Sequence, residues 1–389
     1  MAAPPHRARL AIAYVFFANG AGLASWVPHI PMVQAKLELG PSVLGLALLA
    51  MAVGALVGIP LSGRATARLG SRTVVRASAA VFFAALPLPV LAPSLAQLVA
   101  ALFVLGAGNG ALDVSMNAQA AAVEHRWPRP IMSSFHGMWS LGGLAGAGAA
   151  ALALGAGVTP LHHVASATVV LIATTALALA PLLPPTADAR ADDRRFARPT
   201  RAVLGLGIVA FLALLTEGAM GDWSAVYLQH SLGTTSATAA LGFAAFSLTM
   251  AAGRFLGDAL AARFGDERLV RFGTGAAAVG LGLALVLAHP LAGISGFAAV
   301  GFGIANLIPI VFRAASRLAG IAPSEAIAAV GTFGYVGLLA GPPLIGLAAE
   351  MVTLPVALGL VVAALASIAH GARHVRAVPA HEGTAIAAS

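Results

Sequence analysis

Residues 44–61, LGLALLAMAVGALVGIPL, and 272–288, FGTGAAAVGLGLALVLA, carry no charged side chain. Each approaches the roughly 20 apolar residues that a helix needs to cross a bilayer. Such runs recur along all 389 residues, of which 59% are hydrophobic and 9% charged. Soluble domains carry about 25% charged residues, and a water-soluble protein this apolar could not cover its own surface. The sequence therefore predicts an all-α membrane protein with several spans.

Breaks at charged and Pro/Gly-rich positions divide the chain into twelve apolar stretches. The first half has 10–34, 42–62, 74–92, 95–122, 131–155 and 161–183; the second has 202–229, 236–260, 269–288, 291–312, 325–349 and 353–371. MAAPPHRARL resembles the charged start of a signal peptide, but the apolar segment after it is too long and is interrupted by Asn19, so it reads as a retained first helix. With the N-terminus in the cytoplasm, all 21 arginines fall on the cytoplasmic side and Lys36 alone falls outside. That is the bias of the positive-inside rule. The net charge of +8 is then topological, and nucleic-acid binding is not expected. There is no cysteine, which excludes disulfides and thiolate metal sites.

The halves repeat at an offset of 195 residues. Gly106–Gly108 matches Gly301–Gly303, Leu144–Gly146 matches Leu339–Gly341, and Arg68–Gly70 matches Arg263–Gly265. The expected organisation is a six-helix half over 1–183, a cytoplasmic linker over 184–200, a second six-helix half over 201–372 and a cytoplasmic tail over 373–389.

Charge inside a bilayer costs roughly 2.5–3.5 kcal/mol per residue on insertion scales, so the polar residues mark a wet interior. Span 1 carries Asn19, Trp26 and His29; span 4 carries Asn109, Asp113 and Asn117, four apart and on one face; span 7 carries Glu217, Asp222 and Trp223; span 10 carries Asn306. Spans 1, 4, 7 and 10 hold the same position in each set of three. Span 5 adds His136, Trp139 and Ser140, and span 11 adds Thr332 and Tyr335. Asp113, Glu217, Asp222 and His136 are the proton-coupling candidates. Asn19, Trp26, Asn109, Asn117, Trp139, Trp223, Asn306 and Tyr335 are the substrate-binding candidates, with the aromatic rings as platforms for sugar rings or cations. NGAGLASW in span 1 partly matches EGAMGDW in span 7. Arg254 and Asp258, one turn apart near a cytoplasmic end, read as a gating or structural pair. Gln119 reads as interhelical glue, Trp127 as an interfacial anchor, and His162 and His163 as exposed at a helix start. No second ligand at zinc spacing supports a metal, no Walker pattern supports ATP, and no paired nucleophile and base supports an enzyme.

GRATARLGSR between spans 2 and 3 is similar to the loop pattern of the major facilitator superfamily, matching at Gly63, Arg68, Gly70 and Arg72 but with Ala67 at the usual acidic position. DALAARFGDER keeps Arg263 and Gly265, again without the acid. ASWVPHIP, DVSMNAQAAAVE, SSFHGMWSLGGLAGA, EGAMGDW and GLLAGPPLIG resemble the MosC-like subgroup, related to fucose permeases. The resemblance implies a cytoplasmic gate at these arginines and glycines. It also implies a proton-coupled transporter of the bacterial plasma membrane for sugars, inositol derivatives or similar small polar solutes. Such a protein is expected to be monomeric, with protons, solute and lipid as its only partners and no cofactor. Fucose-type symporters place carboxylates in spans 1 and 4; here span 4 has Asp113 but span 1 offers Asn19. Proton-driven efflux is the alternative, disfavoured by Ala147 where such antiporters carry proline. A non-transporting receptor or assembly protein would want an extramembrane domain for which the loops leave no room.

Overall fold

The computed structural model describes residues 5–128, 131–184, 200–318 and 323–375, without the side chains of residues 133, 258, 323–325 and 328. Twelve helices long and apolar enough to cross a membrane lie among the described residues. In the first half these are α1 (His6–Lys36), α2 (Pro41–Leu69), α3 (Ser71–Leu91), α4 (Leu95–Glu124), α5 (Met132–Gly155) and α6 (Pro160–Ala178). In the second they are α7 (Arg201–Ser231), α8 (Ser236–Phe264), α9 (Asp266–Leu287), α10 (Pro290–Ala315), α11 (Pro323–Met351) and α12 (Leu354–Val375). Most of the linker expected over 184–200 and of the tail over 373–389 lies outside the described residues.

Helix is the form that satisfies every backbone group within hydrocarbon, and local chemistry sets its ends. Ser94, Thr159, Thr200 and Thr235 each cap a helix, their hydroxyl oxygens accepting from the backbone N–H of Gln97, His162, Val203 and Thr238. Prolines set the interruptions. Pro28 and Pro31 have no N–H to give to the carbonyls four residues back, and α1 passes through a 3-10 turn at Val27–His29. Pro309 likewise has no N–H to give to the carbonyl of Ala305, where α10 breaks at Ala305–Asn306. Helices α2 and α8 run on to Leu69 and Phe264, past the apolar limits at 62 and 260, because a helix does not end where its apolar run ends: Arg64, Arg68 and Arg263 are themselves helical.

The repeat is physical. A Cβ on Gly106 would meet the carbonyl oxygen of Met51 at 1.8 Å, and one on Gly301 would meet that of Phe246 at 2.2 Å. Gly142 meets the oxygen of Phe17 and Gly337 that of Phe211, both at 2.0 Å. The same crossings recur in both halves, α2 on α4 as α8 on α10, and α1 on α5 as α7 on α11.

The halves meet along α5 with α8 and along α2 with α11. At the end remote from the start of α1, hereafter the far end, Gly45 and Gly346 let α2 and α11 touch backbone to backbone. There Glu350 also accepts from the N–H and hydroxyl of Ser42 at 3.4 Å. The short segment Val27–Lys36 of α1 packs on α7 and α8 at this same end. The halves are therefore joined at the far end.

Candidate functional site

A row of polar side chains crosses the middle of the bundle. Trp139 Nε1 on α5 donates to Asn19 Oδ1 on α1 at 2.8 Å, and Asn19 Nδ2 donates to Asn109 Oδ1 on α4 at 2.8 Å. The guanidinium of Arg254 on α8 lies 5.8 Å from the Trp139 ring centroid, within cation–π range. The same guanidinium donates to Ser140 Oγ at 2.7 Å and to the carbonyl of His136 at 3.5 Å, and pairs with Glu217 Oε1 on α7 at 3.4 Å. The row thus links α4, α1 and α5 of the first half to α8 and α7 of the second. Arg254 and Glu217 side chains are 13% and 19% exposed, enough to meet water yet far from bulk screening.

Asp113 on α4 is the second charged centre. Its Oδ1 accepts from Asn117 Nδ2 at 3.1 Å and its Oδ2 accepts from Tyr335 Oη on α11 at 3.3 Å, again from one half to the other. Asp222 is half-buried on α7 and has no hydrogen bond or ion pair among the described residues. Of these three carboxylates only Glu217 is paired with a guanidinium among the described residues. An uncompensated carboxylate charge at this depth is costly.

Other expected residues fall elsewhere. Trp26 and Trp223 are 1% and 0% exposed and sit in the packed core, so neither offers a ring face to a cavity in this conformation. The crossings of α1 and α7 superpose at an offset of 194 residues, so EGAMGDW stands about one turn out of register with NGAGLASW, and Asn19 and Glu217 are not counterparts. Asn306 donates to the carbonyl of Gly253 at 2.8 Å and presses on Gly257, which makes it a staple between α10 and α8. His136 packs its ring edge-on against Phe16 at 5.4 Å and does not bond Asp113. Arg254 lies ten residues before the end of α8, about 15 Å at 1.5 Å per residue. It belongs to the central row and not to the helix end; the Asp258 side chain lies outside the described residues.

In the loop motif, Arg68 and Arg263 are exposed, and Arg263 rests on the Phe264 ring. Arg72 donates to the carbonyl of Ala180 at 2.9 Å, and Arg76 to that of Leu179 at 3.2 Å, where they cap the end of α6 in their own half. Gly63 faces open space, while Gly70 and Gly265 make the two turns that follow α2 and α8. Gln119 is fully buried between Ser71 and the backbone of Leu183, the glue its type predicts. Trp127 lies under Arg9 and against His6 at the start of α1.

Two features are not apparent in the sequence reading. Glu124 Oε2 accepts from the N–H groups of Ile131 and Met132 and so ties the end of α4 to the start of α5. His163, expected to be exposed, is 7% exposed and hydrogen-bonded to the fully buried His29; only His162 faces outward. The reason is helical phase: adjacent positions point about 100° apart, and His163 turns toward α1. Among the described residues no group of three metal-ligating side chains forms.

The chain resembles known proteins over nearly its whole length. It is 38% identical to an uncharacterized MFS-type transporter of Yersinia pestis over 92% of this chain and 94% of that one. It is 36% identical to the membrane protein MosC of Rhizobium meliloti over 91% and 86%. The fold is that of a point mutant of the nucleoside transporter NupG, with a TM-score of 0.72 at 12% identity over 94% of this chain and 99% of that one. It is also that of the human organic anion transporter MFSD10, with a TM-score of 0.66 at 16% identity over 96% and 100%. Residues 10–220 match the Major Facilitator Superfamily. With its twelve spans and two repeated halves, the chain belongs to the Major Facilitator Superfamily and is a membrane transporter of the MosC-like kind, not an enzyme.

Proposed function

We propose that the protein is a secondary active transporter that moves a small polar solute, of the sugar, inositol or nucleoside kind, by alternating access and with protons as the driving ion. The observation that carries this reading is the polar row between the halves. Asn19, Asn109, Trp139, Ser140, Arg254 and Tyr335 offer donors, acceptors and an aromatic edge in an otherwise apolar bundle. Hydroxyl-rich solutes are recognised by such directional groups. Asp113 and Asp222, which have no cationic partner among the described residues, supply places where a proton can balance charge.

In this reading the halves, 1–183 and 201–372, rock about the central row, and solute is exposed to one side at a time. The placement of arginines favours cytoplasmic termini in a bacterial inner membrane. The working unit in this reading is a single chain, because its two halves by themselves supply both sides of the central row.

The test is reconstitution on a supported membrane with charge movement recorded on addition of sugars, inositols, nucleosides, amines and hydrophobic cations. A pH-dependent current from one polar class, lost in Asp113→Asn or Asp222→Asn, is the expected result. Currents from hydrophobic cations alone would replace uptake of polar solutes with efflux.

A further inference from the structure

The far end of α1 holds a pair of histidines that the polar row does not use. His29 Nε2 and His163 Nδ1 lie 2.9 Å apart in a hydrogen bond, with ring centroids 5.2 Å apart. The rings are 0% and 7% exposed. One ring donates and the other accepts, and the accepting ring keeps its own proton on its outer nitrogen, so two protons leave both rings neutral. The outer nitrogens, His29 Nδ1 and His163 Nε2, are buried and meet no partner among the described residues. Buried polar atoms left unpaired in this way are exceptions that call for a reason.

Position supplies that reason. His29 closes the 3-10 turn that Pro28 and Pro31 impose on α1, and this turn packs on α7 and α8 of the opposite half. His163 stands in the first turn of α6, beside the exposed His162 and close to water on the far side. The pair therefore ties the sealing segment of α1 to its own half.

We propose that His29 and His163 form a second proton site, reached from the far side and separate from Glu217, Asp113 and Asp222, and that a proton bound there loosens the seal between the halves. A third proton comes from solvent, binds the outer nitrogen of the donating ring and turns that ring into an imidazolium with N–H on both nitrogens. Both outer nitrogens then carry N–H with no acceptor among the described residues, and a buried charge with a second unmet donor disfavours the sealed conformation. A conformation that hydrates the rings binds the proton better, so the proton draws the protein toward that conformation. Among the described residues no other titratable group on the elements packed here bonds either ring. Lys36 on α1 is held by the carbonyls of Val90 and Ala92, and His162 on α6 by Thr159. On α7, Glu217 is taken by Arg254, while Asp222 and His230 make no bond to the pair. His136 on α5, Arg254 on α8 and Arg72 and Arg76 on α3 belong to other clusters.

The inference rests on the alternating-access reading, and one experiment separates the two. The chain has no cysteine, so cysteines placed at the exposed far-end loop positions Val158 and Val352 take spin labels specifically. Distances between the labels are measured in nanodiscs at about pH 8 and about pH 5, either side of the ordinary histidine range. The long-distance population should grow several-fold on acidification, and His29→Gln and His163→Gln, which still hydrogen-bond, should each abolish that growth. If one variant does not fold, the other carries the test. Growth that persists in the variants would overturn the histidine site but leave alternating access standing. Distances fixed at both pH values and with every solute of the transport panel would overturn both.

Discussion

Arg254 on α8 holds Ser140 of the opposite half at 2.7 Å while it pairs with Glu217 of its own half at 3.4 Å. The shorter bond is the one that crosses the halves. One guanidinium thus touches both the charge of α7 and the position of α5.

This arrangement predicts unequal effects of removing its members. Arg254→Met leaves Glu217 without its cation, and breaking a buried pair from one side costs roughly 3–5 kcal/mol. The single long contact places the loss here near the lower end, about 3 kcal/mol. Glu217→Gln keeps an acceptor for the guanidinium and should lower the unfolding midpoint much less. The double variant should recover most of what Arg254→Met loses. Thermal unfolding in detergent of the two single variants and the double variant reads this, and additive losses would show that the pair is not coupled.

Tyr335 gives Asp113 a hydrogen bond from across the halves at 3.3 Å, yet is 37% exposed. Tyr335→Phe should therefore keep the fold and weaken transport. A bond to a charged group is worth about 1.5–3 kcal/mol when buried. At this exposure about 1 kcal/mol is expected, roughly a fivefold change in the concentration of solute giving half-maximal transport. A change in maximal rate alone, at constant half-saturation, would place Tyr335 in the conformational step and not in binding.

Close crossings make a third prediction. Gly142 and Gly337 lie against the carbonyls of Phe17 and Phe211 at equivalent places in the repeat, whereas Gly63 has nothing within 4 Å of a Cβ. Gly142→Ala and Gly337→Ala should each destabilise by about 1–3 kcal/mol, the cost of overpacking. Gly63→Ala should be neutral or gain up to about 1 kcal/mol of helix propensity. Equal unfolding midpoints for all three would mean that the helices move apart freely at these crossings.

The twelve spans and the repeat are legible in the sequence because membrane insertion and helix crossing both act on single residues. Hydrocarbon selects uninterrupted apolar runs, and a crossing this close admits only glycine, so Gly106 and Gly301, or Gly142 and Gly337, stand 195 apart. The polar row is only half legible. That Asn19, Asn109 and Trp139 carry polar atoms in apolar spans is visible; that they bond one another depends on how α1, α4 and α5 cross. Arg254 reads from the sequence as a helix-end residue because charge marks the edge of a membrane, whereas α8 continues ten residues further. Trp26 and Trp223 show the opposite limit: an aromatic residue beside a polar one has the same letter whether it faces solute or core.

The last prediction concerns the turns after α2 and α8. Gly70 has φ +80° and ψ 150°, and Gly265 has φ +79° and ψ 152°, a backbone region that side chains with a Cβ hardly enter. Space is not the constraint at Gly265, where a Cβ would meet nothing within 4 Å. The conformation alone demands glycine. Each turn fixes the angle at which an arginine-bearing helix end gives way to the next span, Arg68 before Gly70 and Arg263 before Gly265. Gly70→Ala and Gly265→Ala should therefore each cost about 1–3 kcal/mol, the strain of a non-glycine residue in this region. Because the two turns stand at matching places in halves that fold the same way, the two losses should agree and should add in the double variant. Unfolding midpoints of the three proteins measure this. A loss at Gly70 without one at Gly265 would mean that the first-half turn is held by contacts beyond its own backbone, such as the Arg72 bond to the end of α6.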